Sequence, residues 1–280
     1  MGGIGFLAAP IPNRAETERL PGTLKSLRKM VAVLECFSPA ERSLTLADIA
    51  RNIALPKSTV HRLLASLREV GFVEQDRDRE SYRLGLRLFR LGSIALINMD
   101  LHGEARPFVE RLARLSGEGV HLCAFDGQKM VTIDHHEPDG RSADWVTTIT
   151  GCPAYCTGVG KATLAFQSIE TIDWVIAAGL QRFTRNTITD GVALGADLAE
   201  VKARGYAVDN AEHQIGVRCI AAPIRNGVGE VFAAISVSGP AERITADRIE
   251  TLAELVIDAA SQISQRLGAQ ILTPAMEVQA

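Results

Sequence analysis

The chain has 280 residues, of which 46% are hydrophobic and 22% charged, so it is long enough for two globular domains of ordinary composition. It contains no run of about 18 apolar residues, and its start lacks the basic segment of a signal peptide, which argues against a membrane or secreted protein. The five cysteines are odd in number and have no C-x-x-C spacing. This excludes a disulfide framework, and we expect reduced thiols in the cytoplasm.

The net charge of −3 conceals an asymmetry along the chain. Residues 24–92 carry a net charge of +5, whereas residues 93–280 carry −8. A basic segment joined to an acidic body is typical of a DNA-binding module attached to a second domain. The predicted organisation is a disordered arm over residues 1–22, the DNA-binding module over 23–85, a linker helix within 86–103 and the second domain over 104–280.

Three short helices are predicted in the first module. Apolar residues at helical spacing predict the first over Ser26–Phe37. The second begins at Thr45, whose hydroxyl can cap it while Asp48 stands at the capping-box position. The third follows Pro56, which we expect at its first helical position, and it ends at Gly71.

The third helix has one apolar face and one that is small, polar and basic. A helix that enters the major groove needs such a face, and His61 and Arg62 are long enough to reach base edges. Phe72–Gln75 and Ser81–Leu84 then alternate like two strands of a hairpin, which would be the wing of a winged helix-turn-helix. The candidate DNA-binding residues are Thr45, Lys57, Ser58, Thr59, His61, Arg62, Arg77 and Arg79, the last two on the wing.

The order of these elements, rather than any one of them, indicates DNA binding. Each element alone is more typical of an ordinary packed core with a solvated polar face. A short helix, a tight turn, a basic-faced helix and a charged hairpin in succession are typical of a DNA-binding module.

A linker helix is predicted over Leu86–Asn98, and it is apolar around much of its circumference. Such a helix needs partners other than solvent, either its copy in a dimer or the two domains beside it. A regulator requires a dimer, because one short helix reads too few base pairs to find a site in a genome. A further helix is predicted over Glu104–Leu115, with Pro107 in its first turn.

The second domain alternates between hairpins and helices, which predicts an α+β domain with a largely antiparallel sheet. The predicted strands are Val120–Phe125, Met130–Asp134, Trp145–Thr150, Tyr206–Asp209, Cys219–Pro223 and Val231–Ser238. The predicted helices are Val159–Phe166, a helix capped by Ser168 that runs to Ala178, Ala193–Arg204 capped by Asp190, and Ala246–Leu267 capped by Thr245.

Two groups of residues in this domain are candidate ligand sites. Gly158-Val159-Gly160-Lys161 would place free N–H groups at a helix N-terminus, where an anion can bind, although water or Thr157 could equally satisfy them. The segment is not a P-loop, because its spacing differs and Ala162 follows the lysine. Ser236 and Ser238 share one face of a strand, and buried hydroxyls there need either a polar ligand or neighbouring backbone as partners. Asp209 and Cys219 belong to the same candidate set.

Several ordered motifs resemble the IclR family of bacterial transcription regulators, and together they extend over residues 24–268. They are residues 45–50 (TLADIA), 55–64 (LPKSTVHRLL), 82–85 (YRLG), 157–162 (TGVGKA), 183–189 (FTRNTIT), 204–209 (RGYAVD), 212–223 (EHQIGVRCIAAP) and 234–240 (AISVSGP). One departure is the segment 151–156 (GCPAYC), where relatives commonly have a Leu-His or similar pair. A changed loop at this position can alter the class of ligand that the domain binds.

The resemblance implies a winged helix-turn-helix followed by a GAF-like effector domain, in a dimer or a dimer of dimers. It implies a small organic acid or aromatic metabolite as effector, and repression is common among such relatives. We expect the dimer to bind a pseudo-palindromic operator in double-stranded DNA, and we expect no cofactor, no metal and no catalytic activity. The effector-binding residues that follow from the resemblance are Gly158, Val159, Asp209, Cys219, Ser236 and Ser238, with Thr157 and an aromatic wall at Trp145 beside them.

Two alternatives stay open from the residues themselves. The first is a thiol-based redox sensor or a GAF-like redox enzyme, with Cys156 or Cys219 as nucleophile and a histidine as base. The second is a structural metal site, whose ligands would come from His121, Cys123, His135, His136, Cys152, Cys156 and His213. The cysteines lie in no nucleophile motif, and the spacing fits no standard zinc pattern. An enzyme would also leave the basic first module unexplained.

Overall fold

The structure, a computed structural model, describes residues 22–38, 41–76, 80–97, 100–137 and 151–269. The described residues divide into two compact units, of which the first ends before Met99 and the second begins at Asp100. The predicted disordered arm lies outside the described residues except for Gly22, which is already helical.

The first unit has the winged helix-turn-helix arrangement that its sequence predicts. Its elements are α1 (Gly22–Leu34), β1 (Leu44–Thr45), α2 (Leu46–Asn52), α3 (Lys57–Glu69), β2 (Val73–Gln75), β3 (Ser81–Leu84) and α4 (Leu86–Ile97). The three strands form an antiparallel sheet in the order β1-β3-β2. The core between the helices and this sheet contains the fully buried side chains of Val33, Ile49, Val60 and Leu64.

Three local details of this unit differ from prediction. The first helix begins at Gly22 and ends at Leu34, earlier at both ends than expected. Pro56 is the residue before α3 rather than its first residue, because its ψ of 139° is extended while its carbonyl accepts the first helical bond, from Val60 N–H. The short strand β1 was not predicted, since two residues carry no alternation.

Gly71 ends α3, as predicted. Its φ of +73° is left-handed, which glycine adopts without strain. The Gly71 N–H donates to the Arg68 carbonyl at 3.0 Å and the Phe72 N–H to the Leu67 carbonyl at 2.8 Å, which is the Schellman pattern. The chain therefore turns directly from α3 into the wing.

The second unit is an α+β domain with an antiparallel six-stranded sheet. Its elements are α5 (Asp100–Ser116), β4 (Gly119–Phe125), β5 (Lys129–His136), β6 (Cys152–Pro153), α6 (Gly158–Leu164), α7 (Ile169–Ala177), α8 (Gly191–Arg204), β7 (Ala207–Asn210), β8 (Val217–Arg225), β9 (Val231–Pro240), a 3₁₀ turn (Ala246–Arg248) and α9 (Ile249–Arg266). The strand order is β6-β5-β4-β9-β8-β7. The predicted strand Trp145–Thr150 lies outside the described residues.

Two helix predictions in this unit were wrong in detail. Because α5 begins at Asp100, Pro107 lies inside the helix rather than in its first turn, where it removes the bond to the Gly103 carbonyl. Pro107 is exposed, and the helix continues through it to Ser116. Thr245 makes no side-chain capping bond, because the chain enters α9 through the 3₁₀ turn.

Side chains alternate between two helical layers on the faces of the large sheet. Ile220, Ala222 and Ile224 of β8 are buried in a core with residues of α5 and α9. Ala221 of the same strand is buried in a second core with residues of α6, α7 and α8. Strand residues two apart point to the same face, so the Asp209, Cys219, Ser236 and Ser238 set lies on the α6 side.

Candidate effector site and DNA-binding surface

Three candidate effector residues form a row across neighbouring strands. Asp209 on β7 is paired in register with Cys219 on β8, and Cys219 is paired with Ser238 on β9. Ser236 lies one pleat further along β9, between Ala221 and His121. Antiparallel pairing therefore brings together residues that are up to 29 positions apart, as the sequence prediction required.

The start of α6 lies against this row. Thr157 caps the helix: its hydroxyl accepts from the Gly160 N–H at 3.2 Å and donates to the Pro153 carbonyl at 2.7 Å. A β-carbon at Gly158 would be 2.7 Å from the Cys219 sulfur. Gly158 thus permits a closer approach to β8 than any other residue would.

Cys219 is a neutral thiol at the centre of the candidate site. Burial, with a smaller contribution from the Asp209 carboxylate, raises the pKa of Cys219 to about 12. Hydrogen bonds from the Ser236 hydroxyl and the Gly158 N–H to the sulfur oppose this shift. The same contacts show that strand β9, strand β8 and helix α6 meet at this sulfur.

Asp209 is the buried acidic group of the row, with 5% of its surface exposed. Its Oδ1 accepts a hydrogen bond from the Glu212 N–H at 2.7 Å. Burial raises the pKa of Asp209 to about 7, and the Glu212 charge adds to the shift, whereas the backbone N–H groups and Lys161 oppose it. The carboxyl can therefore be present in either protonation state at neutral pH.

A threonine-rich loop holds the turn that follows Asp209. The Thr187 hydroxyl donates to the Glu212 carbonyl at 2.6 Å, and the Thr184 hydroxyl donates to the Ala211 carbonyl at 2.7 Å. Ala211 has a φ of +56°, which is unusual for a residue with a side chain. These contacts show that the segment 183–189 fixes the backbone of the turn after Asp209.

The polar face of α3 is exposed, as DNA recognition needs. Lys57, Ser58, His61 and Arg62 are exposed and Thr59 is half-buried, while Val60, Leu63, Leu64 and Leu67 are buried on the opposite face. Thr45 is engaged within its own unit: its hydroxyl donates to Asp48 Oδ2 at 2.6 Å and accepts from the Asp48 N–H at 3.2 Å. The capping box predicted at α2 is confirmed.

Comparison with known families matches both units. Residues 94–265 match the sequence model of the family described as bacterial transcriptional regulator IclR C-terminal, and residues 26–77 match the IclR helix-turn-helix domain. The chain belongs to the IclR family of transcriptional regulators. The resemblance, the winged helix-turn-helix and the α+β fold class inferred from the sequence are thereby confirmed.

Curated relatives and solved structures agree with this assignment. The chain is 36% identical over 258 residues to the HTH-type transcriptional repressor AllR of Klebsiella pneumoniae, covering 92% of this chain and 94% of that protein. An IclR transcriptional regulator from Alicyclobacillus acidocaldarius is similar at a TM-score of 0.75 and 27% identity, over 87% of this chain and 99% of that one. An IclR homologue from Microbacterium hydrocarbonoxydans, complexed with 4-hydroxybenzoate, is similar at a TM-score of 0.69 and 30% identity, over 86% and 98%.

Three candidate residues of this IclR-family chain cannot be placed. Arg77 and Arg79, predicted to lie on the wing, and Trp145, predicted to lie beside the effector, are outside the described residues. Within the described part of the chain, no helix is long and apolar enough to cross a membrane.

Lys161 and Glu212 are the functional candidates that sequence reasoning missed. Lys161 is 1% exposed, and its Nζ lies 2.6 Å from Glu212 Oε1 and 3.1 Å from Asp197 Oδ2. The available signal was a lysine within the short helix α6, whose other residues are apolar or small. A charged side chain on such a helix must be paired if it is buried.

Two of the candidate metal ligands, His121 and His135, stack on each other. The rings of His121 and His135 lie 4.2 Å apart and nearly parallel, in register across β4 and β5. Burial lowers the pKa of His121 to about 3, and the neighbouring His135 lowers it further. Among the described residues, no three His, Cys, Asp or Glu side chains are grouped as a metal site would require.

Proposed function

We propose that this IclR-family regulator is a repressor that binds a pseudo-palindromic DNA operator as a dimer or a dimer of dimers in the cytoplasm. Residues 23–85 would read DNA, 86–103 would link, and 104–280 would bind a small organic or aromatic acid that controls DNA affinity. The repressor assignment is supported by the AllR relatives, of which the chain covers most of the length. The effector class is supported by the 4-hydroxybenzoate complex of a similar protein.

The main support for the effector site is that the start of α6 packs against the row of residues on β7, β8 and β9. Gly158 meets Cys219, and Cys219 is paired with Asp209 on one side and Ser238 on the other. The proposed effector contacts are Thr157, Gly158, Val159, Asp209, Cys219, Ser236 and Ser238, with Trp145 beside them. A neutral thiol, two hydroxyls and a carboxyl that can be protonated offer hydrogen bonds to an acid without forcing like charges together.

DNA recognition is proposed for the exposed face of α3. Lys57, Ser58 and Thr59 would position the helix on phosphates, and His61 and Arg62 would contact base edges. Arg77 and Arg79 would contact the adjacent backbone or minor groove from the wing. Thr45, at the start of α2, would approach a phosphate while it caps its helix.

Dimerisation is supported by apolar surface on the first unit. Leu86 and Phe89 on α4 are each 72% exposed, and Ile94 on the same helix is 50% exposed. Apolar side chains concentrated on one helix are typical of a surface covered by another chain. We propose that two copies of this chain cover it together, which would supply the second recognition helix.

Catalysis by the cysteines is disfavoured by their surroundings. Cys156 and Cys219 are 0% and 8% exposed, and burial raises the pKa of both thiols. A nucleophilic or redox-active cysteine needs an accessible thiolate, which these sites oppose. We therefore propose that the protein has no enzymatic activity of its own.

A gel-shift titration tests the DNA-binding half of the proposal. The purified protein is titrated onto the promoter DNA that flanks its own gene at several salt concentrations. We expect tight, salt-dependent binding, which Arg62→Ala weakens by about 1–3 kcal/mol while relaxing specificity at one base pair. The matched control is Arg68→Ala on the same helix, because the Arg68 guanidinium already donates to Gln75. Equal losses for the two variants would contradict the assignment of α3 as the recognition helix.

The effector half is tested by adding acids to the same titration. A panel of small carboxylates and aromatic acids, including 4-hydroxybenzoate, should contain a compound that changes DNA affinity. The double variant Asp209→Ala and Ser238→Ala should bind DNA normally and lose that response. A normal response in the double variant would remove the pocket assignment while leaving the DNA-binding assignment intact.

A further inference from the structure

The buried ammonium of Lys161 lies among more carboxyl groups than it can neutralise, close to Asp209 of the candidate effector site. Lys161 Nζ contacts Glu212 and Asp197, and the Glu212 backbone N–H in turn donates to Asp209. Two carboxylates therefore share one cation, a third carboxyl group, Asp209, lies against the backbone of Glu212, and Glu212 Oε2 has no hydrogen-bond partner among the described residues. Burying unbalanced charge costs free energy, so protonation of one carboxylate stabilises the cluster.

Asp209 is the carboxyl group best placed to hold that proton. Glu212 Oε1 is bonded to the ammonium at 2.6 Å, which opposes the rise that burial causes in the pKa of Glu212, and Asp197 Oδ2 lies 3.1 Å from the same ammonium. Asp209 is 5% exposed and its Oδ1 takes a neutral N–H rather than a cation. This is consistent with a pKa of Asp209 raised by burial to about 7.

The groups that face Asp209 from neighbouring elements carry few other charges. They are Lys161 on α6, Glu212 and His213 in the turn after β7, Cys219 on β8, and Cys152 and Cys156 beside α6. Burial raises the pKa of all three thiols and lowers the pKa of His213, so these groups are neutral near pH 7. The charges acting on Asp209 are therefore those of Lys161 and Glu212.

We infer that the Lys161–Glu212 ion pair positions Asp209 and sets its protonation, and that Asp209 takes up one proton from solvent when an anionic effector binds beside Ser238. The inference rests on the proposed effector site. A carboxylate bound next to an ionised Asp209 would bring two negative charges together, and protonation turns the same side chain into a hydrogen-bond donor. A cationic effector would have the opposite effect and would release the proton.

Effector affinity would then depend on pH in a defined direction. Above the midpoint of the Asp209 titration, the affinity for an anionic effector falls by about tenfold for each pH unit. The reason is that binding takes up one proton, and the proton concentration falls tenfold with each unit. Lys161 and Glu212 act through Asp209, so they are positioning residues rather than effector contacts.

The first experiment titrates Asp209 in the full-length, effector-free protein. Side-chain ¹³C resonances of labelled aspartate are followed from pH 4 to 9, and Asp209→Asn identifies the signal. We expect a midpoint near pH 7 that Glu212→Gln lowers by about one unit, because the variant removes a negative charge while keeping a hydrogen-bond acceptor for Lys161. The matched control is Asp197→Asn, which contacts the same ammonium and should move the midpoint much less. A midpoint below about pH 5, or equal shifts in the two variants, would overturn the inference.

The second experiment repeats the titration with saturating 4-hydroxybenzoate as the probe. Binding of this acid, detected from its own resonances, should raise the Asp209 midpoint by one unit or more. Binding with an unchanged midpoint overturns the proton uptake. If the acid does not bind, the effector class of the proposed function fails for this compound, and the effector-free titration still decides the role of the ion pair.

Discussion

Gly158 lies directly over the thiol of Cys219, so close that a β-carbon at residue 158 would be 2.7 Å from the sulfur. The same β-carbon would be at an ordinary contact distance of 3.4 Å from the Ala221 side chain. The contact joins the helical layer to β8, the strand beside the edge strand β7, at the point where the effector is proposed to bind. A change in either residue therefore affects both packing and ligand response.

Gly158→Ala should destabilise the protein by about 1–3 kcal/mol through overpacking against Cys219, and should abolish the effector response. Cys219→Ala removes the clashing sulfur, so the double variant should recover part of the lost stability. A double-mutant cycle by chemical denaturation should give a coupling of about 0.5–3 kcal/mol between the two sites.

The matched control for this cycle is Gly195→Ala. Gly195 lies within α8 with nothing in contact where a β-carbon would be, so alanine should raise stability by up to about 1 kcal/mol. Additive effects of Gly158→Ala and Cys219→Ala would show that the contact does not limit packing.

Asp209→Asn should change how stability depends on pH. The folded-state pKa of Asp209 is raised to about 7, above the value of an unfolded aspartate, so the folded state holds the proton more tightly. That contribution is fully present below the unfolded pKa and is lost as pH rises through 7. Relative to the asparagine variant, the natural protein should lose about 2–3 kcal/mol between pH 5 and pH 8.

Denaturant unfolding of both proteins at pH 5, 6, 7 and 8 measures this difference. Ser238→Ala is the control, since it alters the same row without removing a titrating group. A constant difference between the natural protein and Asp209→Asn across this range would mean that Asp209 is ionised throughout.

The buried thiols should resist modification in the folded protein. Cys123, Cys156 and Cys219 are 2%, 0% and 8% exposed, and burial raises the pKa of each. Mass spectrometry after iodoacetamide treatment at pH 7.5 should find these three unlabelled in native protein and labelled in urea. Mild oxidant should leave DNA binding unchanged, in the natural protein and in Cys156→Ser alike. Loss of DNA binding on oxidation, reversed by reductant and absent in Cys156→Ser, would restore the redox-sensor interpretation.

The capping box at α2 should contribute to the stability of the first unit. Thr45→Ala removes the acceptor for the Asp48 N–H and should cost about 1 kcal/mol, measured by thermal unfolding. Asp48→Ala combined with Thr45→Ala should cost less than the sum of the single changes, because both belong to one reciprocal pair. Thr45→Ser keeps the hydroxyl and should be close to neutral. A loss in Thr45→Ser as large as in Thr45→Ala would assign the effect to the methyl group instead.

The amino-acid sequence alone predicts nearly all of the longer helices and strands in their order, with ends within a few residues of those observed. Helical periodicity, the Thr45 cap, the Gly71 stop and the strand alternation of the second domain all depend on residues within about four positions of one another, so they can be read without knowing the fold. The caps at Ser168 and Asp190 follow the same rule and are present in the structure.

Features that depend on contacts between distant segments of the chain became visible in the folded protein alone. The two residues of β1 form a strand because they pair with Tyr82 and Ser81, and the local sequence pattern does not predict that pairing. The strand order of the large sheet places Asp209 beside Cys219 and Cys219 beside Ser238. The local sequence likewise does not predict the pairing of Lys161 with Glu212, 51 residues away, because it is the fold that brings the two side chains together.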